Sequence, residues 1–124
     1  MRTELTKGEF IAIIESVGIT AREGEQYLDD AGTFPKIAYW EYLWADNMAS
    51  GEEYKTTVTY QVSFASRTPR HAKLFELKDR FNAAGLHPTI SHEYVKATDG
   101  PGWWHSYFGV DIEEVLDGNA STNG

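Results

Sequence analysis

The chain contains no cysteine among its 124 residues. Disulfides, zinc–thiolate sites and thiol nucleophiles are therefore excluded. Basic charge is scarce: 11 Lys and Arg stand against 19 Asp and Glu, a formal net charge of −8. Such a surface repels the phosphate backbone that supplies most nucleic-acid affinity, so no specific nucleic-acid binding is expected. The one basic cluster, Arg67, Arg70, His71 and Lys73, reads as the solvated start of a helix. Long apolar runs are missing too. No stretch reaches the roughly 18 apolar residues of a membrane span, so no membrane partner is expected. Met1-Arg2-Thr3-Glu4-Leu5 lacks a signal-peptide core, and a cytosolic product is expected. The dinucleotide fingerprint Gly-x-Gly-x-x-Gly, the phosphate-binding loop and the Gly-x-Ser-x-Gly elbow are all absent.

What remains is patterned. Tyr54, Thr56, Val58, Tyr60, Val62 and Phe64 alternate with Lys55, Thr57, Thr59, Gln61, Ser63 and Ala65. A period of two marks a strand with one buried face. Thr6 and Glu9 form a Thr-x-x-Glu capping box ahead of the stripe Phe10, Ile13, Ile14 and Val17, and Gly18 stands at the helix end. A second helix is expected from Thr68 as cap and Pro69 as first residue, through Leu74, Leu77, Phe81 and Ala84, to a stop at Gly85. Residues 36–44 read as a strand. Ile37, Tyr39, Glu41 and Leu43 are assigned to one face and Ala38, Trp40, Tyr42 and Trp44 to the other. Both faces are largely apolar, which points to cover on both sides. Residues 45–53 form a polar connection, 21–28 a helical turn, and 88–96 and 103–112 a closing hairpin across Asp99-Gly100-Pro101-Gly102. The expected fold class is α+β, in the order αββαββ. Its sheet is four-stranded and mainly antiparallel, with two helices on one face. One domain is expected over residues 1–116, with 117–124 as a disordered tail.

Candidate chemistry is sparse. Adjacent carboxylates at Asp29-Asp30, Glu52-Glu53 and Glu113-Glu114 point apart and read as solvated charge. Of the four histidines, His92 and His105 are expected opposite each other on the last hairpin, with Glu93 on the other face. Two histidines without a third ligand make no metal site, so no metal and no cofactor is expected. A hydrolase built on His92 or His105 lacks a visible second catalytic partner, so no enzyme and no catalytic residue is assigned. The aromatic residues carry more information. Trp40, Tyr42, Trp44, Trp103 and Trp104 either fill a small core or form a protein interface.

The run Phe34-Pro35-Lys36-Ile37-Ala38-Tyr39-Trp40, then Ala49-Ser50-Gly51-Glu52-Glu53-Tyr54, resembles small neck proteins of long-tailed bacteriophages. Val58-Thr59-Tyr60-Gln61-Val62-Ser63-Phe64 with Arg67-Thr68-Pro69-Arg70 is similar to them as well. So are Leu86-His87-Pro88, His92-Glu93-Tyr94 and Trp104-His105-Ser106-Tyr107-Phe108. The likeness spans roughly residues 34–110. It implies a tail terminator, tail-completion or head–tail joining subunit, a structural virion protein without cofactor or catalytic residues. Its implied partners are further copies of itself in a ring, commonly hexameric, the tail tube protein and the head connector. It implies a location in the host cytoplasm during assembly and in the virion neck thereafter. The alternative, from the strand–helix rhythm alone, is a ferredoxin-like ligand-binding or regulatory domain with an aromatic pocket near Trp40 and Trp104.

Overall fold

A computed structural model describes residues 5–29, 33–48, 54–98 and 100–114. The first helix, α1 (Lys7–Ser16), begins at the expected capping box. The Thr6 hydroxyl accepts the Glu9 N–H at 3.2 Å, and the Glu9 carboxylate accepts the Thr6 N–H at 3.0 Å. Gly18, at φ 76°, takes the left-handed position that ends the helix. The chain continues through β1 (Ala21–Glu23), a 3-10 turn (Glu25–Asp29), β2 (Lys36–Met48) and β3 (Tyr54–Ser66). It closes with α2 (Ala72–Ala83), β4 (Ser91–Val95) and β5 (Trp103–Glu114).

The α+β class is as expected, with both helices packed on one face of the sheet around a single core. The sheet itself differs. It has five strands in the order β1-β2-β3-β5-β4, and β1 runs parallel to β2, so the sheet is mixed. Residues 21–28 thus hold a three-residue strand before the expected turn. One face of β3 is as read: Val58, Tyr60, Val62 and Phe64 are fully buried against Phe10, Ile14, Leu77, Phe81, Phe108 and Ile112. The other face is not solvated as expected, because Thr59, Ser63 and Ala65 are buried as well. Burial raises the pKa of the Tyr60 hydroxyl, and the neighbouring Lys7 offsets part of the rise. Tyr39 is raised for the same first reason, with Glu23 and Glu15 adding to it.

Helix α2 starts later than expected. His71, not Thr68, is its N-cap, and the ring Nδ1 accepts the Lys73 N–H at 3.0 Å. Its end is the expected glycine stop. Gly85 has φ 93°, its N–H donates to the Asn82 carbonyl, and the Leu86 N–H returns to Phe81. That pair of bonds satisfies the last carbonyls of the helix.

The face assignment of β2 needs the largest correction. Glu41 lies opposite Tyr60 but Leu43 lies opposite Thr59, so Tyr42 is an extra residue, a β-bulge. Before the bulge, Ile37 and Tyr39 face the helices and Ala38 and Trp40 face away. After it the parity reverses: Trp44 pairs with Val58 on the helix side, and Leu43 with Thr59 on the far side. Trp40 and Trp44 therefore do not share a face.

The far side is covered at one end by Tyr27 and Phe34. There the Lys36 ammonium lies 5.2 Å from the Tyr27 ring centre and 5.1 Å from that of Phe34. Lys36, Ala38, Ser63 and Ala65 are fully buried beneath this cover. Cover on both sides of the strand, as expected, holds for this end only. The expected 45–53 connection is shorter than read, because residues 45–48 pair with β3 and belong to β2. Residues 49–53 and the expected disordered tail lie outside the described residues.

Candidate functional site

Among the described residues, five large apolar side chains stand mostly in solvent: Tyr42 (56%), Leu43 (51%), Trp44 (60%), Phe75 (52%) and Tyr94 (50%). They fall into two groups, which decides where contacts are to be sought. The first group is consecutive and sits on β2 just past the bulge. Here the strand pairs only with β3, because β1 reaches no further than Tyr39. This open-edged stretch of β2 is termed the arm; β3 behind it stays paired with β5 as far as Thr56–Glu114, and Val58, opposite Trp44, is fully buried. Tyr42 bends back, with its hydroxyl 3.2 Å from where a Cβ on Gly109 would lie.

The second group flanks a groove of about 490 Å³ between α2 and the edge strand β4. Leu74, Phe75, Pro88 and Ile90 supply apolar wall, and Arg70, Lys78 and His92 supply basic or ionisable nitrogen. Tyr94 lies two residues from His92 on the same side of β4, with its ring 5.3 Å from that of Trp104. Behind the groove, Lys73 and Arg80 both pair with Glu76 at 3.0 Å. These hydrogen bonds hold the Glu76 carboxyl below the usual carboxylate range.

Tyr94 also anchors the hairpin that bears the groove. Its hydroxyl accepts the Gly102 N–H at 3.1 Å. A Cβ at residue 102 would collide with the Val95 carbonyl and the Tyr94 ring. Gly102→Ala is expected to destabilise the protein by about 1–3 kcal/mol, the usual cost of forced overpacking. A chemical melt would check this, and wild-type stability in the variant would contradict the packing of this turn.

The far side of the sheet holds a polar chain that was not anticipated. Glu93, not His92, is opposite His105, and His92 is opposite Ser106. The one-residue shift in register exchanges the faces of both. His105 Nδ1 is 2.9 Å from Glu93 Oε1, and Nε2 is 2.8 Å from Ser63 Oγ. Gln61 Nε2 donates to the same Ser63 oxygen at 3.2 Å. The bonds are mutually consistent if Gln61 donates to Ser63, Ser63 to His105 Nε2, and His105 Nδ1–H to Glu93. The Ser–His–Glu order is that of a hydrolytic triad, so His105 has the partners its sequence position did not reveal. Ser63, however, is fully buried on a strand flanked on both sides by β2 and β5, whose ladders engage its backbone amides. An acyl substrate needs an exposed hydroxyl and free N–H donors beside it. The chain instead ties β3, β5 and β4 together from within. On the opposite face His92 makes a separate contact, Nδ1 to Ser106 Oγ at 2.7 Å.

The aromatic candidates divide accordingly. Trp40 and Trp103 face away from the helices, half-buried. Trp103 lies in a row along β5 with His105 and Tyr107, next to Phe34. Trp104 and Trp44 lie on the helix side, opposite Ser66 and Val58. Trp40 and Trp104 are thus on opposite faces and share no pocket. Sequence reasoning missed Leu43, Phe75, Tyr94 and the groove. Phe75 carried a signal, as a large apolar residue one step off the buried stripe of its helix. Among the described residues no three His, Asp or Glu side chains converge to hold a metal ion. No helix among them is long and apolar enough to cross a membrane. In comparisons with known proteins, no family model matches the chain and no curated protein is significantly similar to it.

Proposed function

We propose that the protein is a structural subunit that assembles with copies of itself into a ring. In this reading it is a tail terminator or head–tail joining protein of a long-tailed bacteriophage. It acts without catalysis, between the tail tube protein and the head connector, and resides in the virion neck after assembly in the host. The observation that carries the self-assembly is the arm: three consecutive large apolar residues, each more than half exposed, on a strand whose outer flank no other described strand occupies. Exposed apolar clusters on open strand edges are features that soluble proteins cover by pairing. A repeated head-to-tail contact covers them in every copy at once. The phage context comes from the sequence likeness over residues 34–110.

The test is light scattering after size exclusion over a wide concentration range, with electron microscopy of large species. A closed ring is the expected result, and a monomer at every concentration overturns the proposal. Trp44→Ala is expected to weaken assembly at least tenfold, the effect of losing about 1.4 kcal/mol or more from an interface anchor. Its melting should stay within about 0.5 kcal/mol of wild type, as for other exposed positions. Loss of stability with assembly intact would instead make Trp44 part of the fold.

A further inference from the structure

We infer that the arm of one copy lies beside strand β4 of the next, with Trp44 seated in the groove between α2 and β4. This rests on the self-assembly proposed above and names its contact. Three observations lead to it. First, four of the five strongly exposed large apolar side chains among the described residues belong to these two places, three on the arm and Phe75 in the groove wall, and the fifth, Tyr94, lies two residues from His92 on the same face of β4. Second, the charges complement each other. Residues 41–55 contain four acidic residues, Glu41, Asp46, Glu52 and Glu53, against one basic residue, Lys55. The groove presents Arg70, Lys78 and His92 on a chain of net charge −8. Opposite potentials steer two patches together and disfavour like-with-like pairing.

Third, strand direction and side-chain parity agree. β2, β3, β5 and β4 are successively antiparallel, so β2 and β4 run in opposite directions. Rotation about a ring axis preserves each strand's sense, so the arm meets the neighbouring β4 antiparallel and continues the sheet. Trp44 then falls on the helix side, the side of His92 and Tyr94 and of the groove. Without the bulge, Trp44 would fall on the opposite side. Within one sheet, β4 is level with residues near 36–38 of β2, through their shared pairing with β5 and β3. The arm lies further along, so the contact requires strands tilted to the ring axis. Tilt staggers neighbouring strands in closed sheets in this way. Extended-strand addition of this kind draws affinity from the main chain and specificity from pockets for alternate side chains.

A mixing experiment tests the contact. Trp44→Glu breaks the arm and leaves the groove intact; Phe75→Glu does the reverse. Both positions are exposed. If either variant loses its far-ultraviolet dichroism, Trp44→Ala or Arg70→Glu replaces it. Each variant alone is expected to stay monomeric where the wild type assembles. Their equimolar mixture is expected to give a species of twice the subunit's 14.0 kDa, through the one intact arm and the one intact groove. A mixture that stays monomeric, or a single variant that assembles like wild type, overturns the arm-in-groove contact while the wild-type assembly keeps the structural reading. A wild type that never assembles overturns both.

Discussion

Replacing Phe64 with alanine is expected to lower the unfolding free energy by about 3–5 kcal/mol. Phe64 is fully buried near the middle of the sheet, opposite Ile37 on one neighbouring strand and Ser106 on the other. Its ring also lies 5.6 Å from the His71 imidazole, the group that caps α2. Truncation removes the transfer energy of an aromatic side chain and leaves a cavity that strands held on both sides cannot close. It also withdraws the surface on which the α2 cap rests. Urea titration is the measurement, and a midpoint like that of wild type would contradict the assignment of even-numbered β3 residues to the core.

The second large effect is expected at His105. His105→Ala deletes the hydrogen bonds to Ser63 and Glu93 and strips Tyr107 of the ring that lies 4.7 Å from its own. The fully buried Ser63 hydroxyl then loses its acceptor, and leaving such a group unpaired costs about 1–3 kcal/mol. With the lost packing the expected destabilisation is about 2–4 kcal/mol. Glu93→Gln is the matched control. Its side chain is 54% exposed and an amide oxygen still accepts from His105, so a change within about 1 kcal/mol is expected. Thermal or chemical melts distinguish the two. Equal losses in both variants, or none in either, would show that the chain does not act as a buried tie between strands.

These two residues also mark the limits of what can be read from the sequence. Phe64 was legible because β3 alternates without interruption, so period alone separates its faces. The Thr6–Glu9 capping box and the Gly85 stop were legible because local hydrogen bonding needs no distant partner. β1 left no comparable mark. Ala21-Arg22-Glu23 has no apolar pattern, and the segment is a strand only because Ile37–Tyr39 pair with it. The Ser63–His105–Glu93 chain was hidden for another reason. It joins residues 42 and 12 positions apart, and it depends on hairpin register to a single residue. A register off by one predicts His92 opposite His105 and turns Glu93 away. The groove was hidden because it lies between elements, and only Phe75 hinted at it.

The bulge at Tyr42 carries a consequence for how such a chain changes over generations. It divides one continuous strand into two stretches under different selection. Residues before it are bound by the core, where a substitution at Ile37 is judged by folding. Leu43 and Trp44 after it stand mostly in solvent, so they are free to vary at little cost in stability. A lineage can therefore alter the chemistry of the arm without first acquiring compensating changes in its interior.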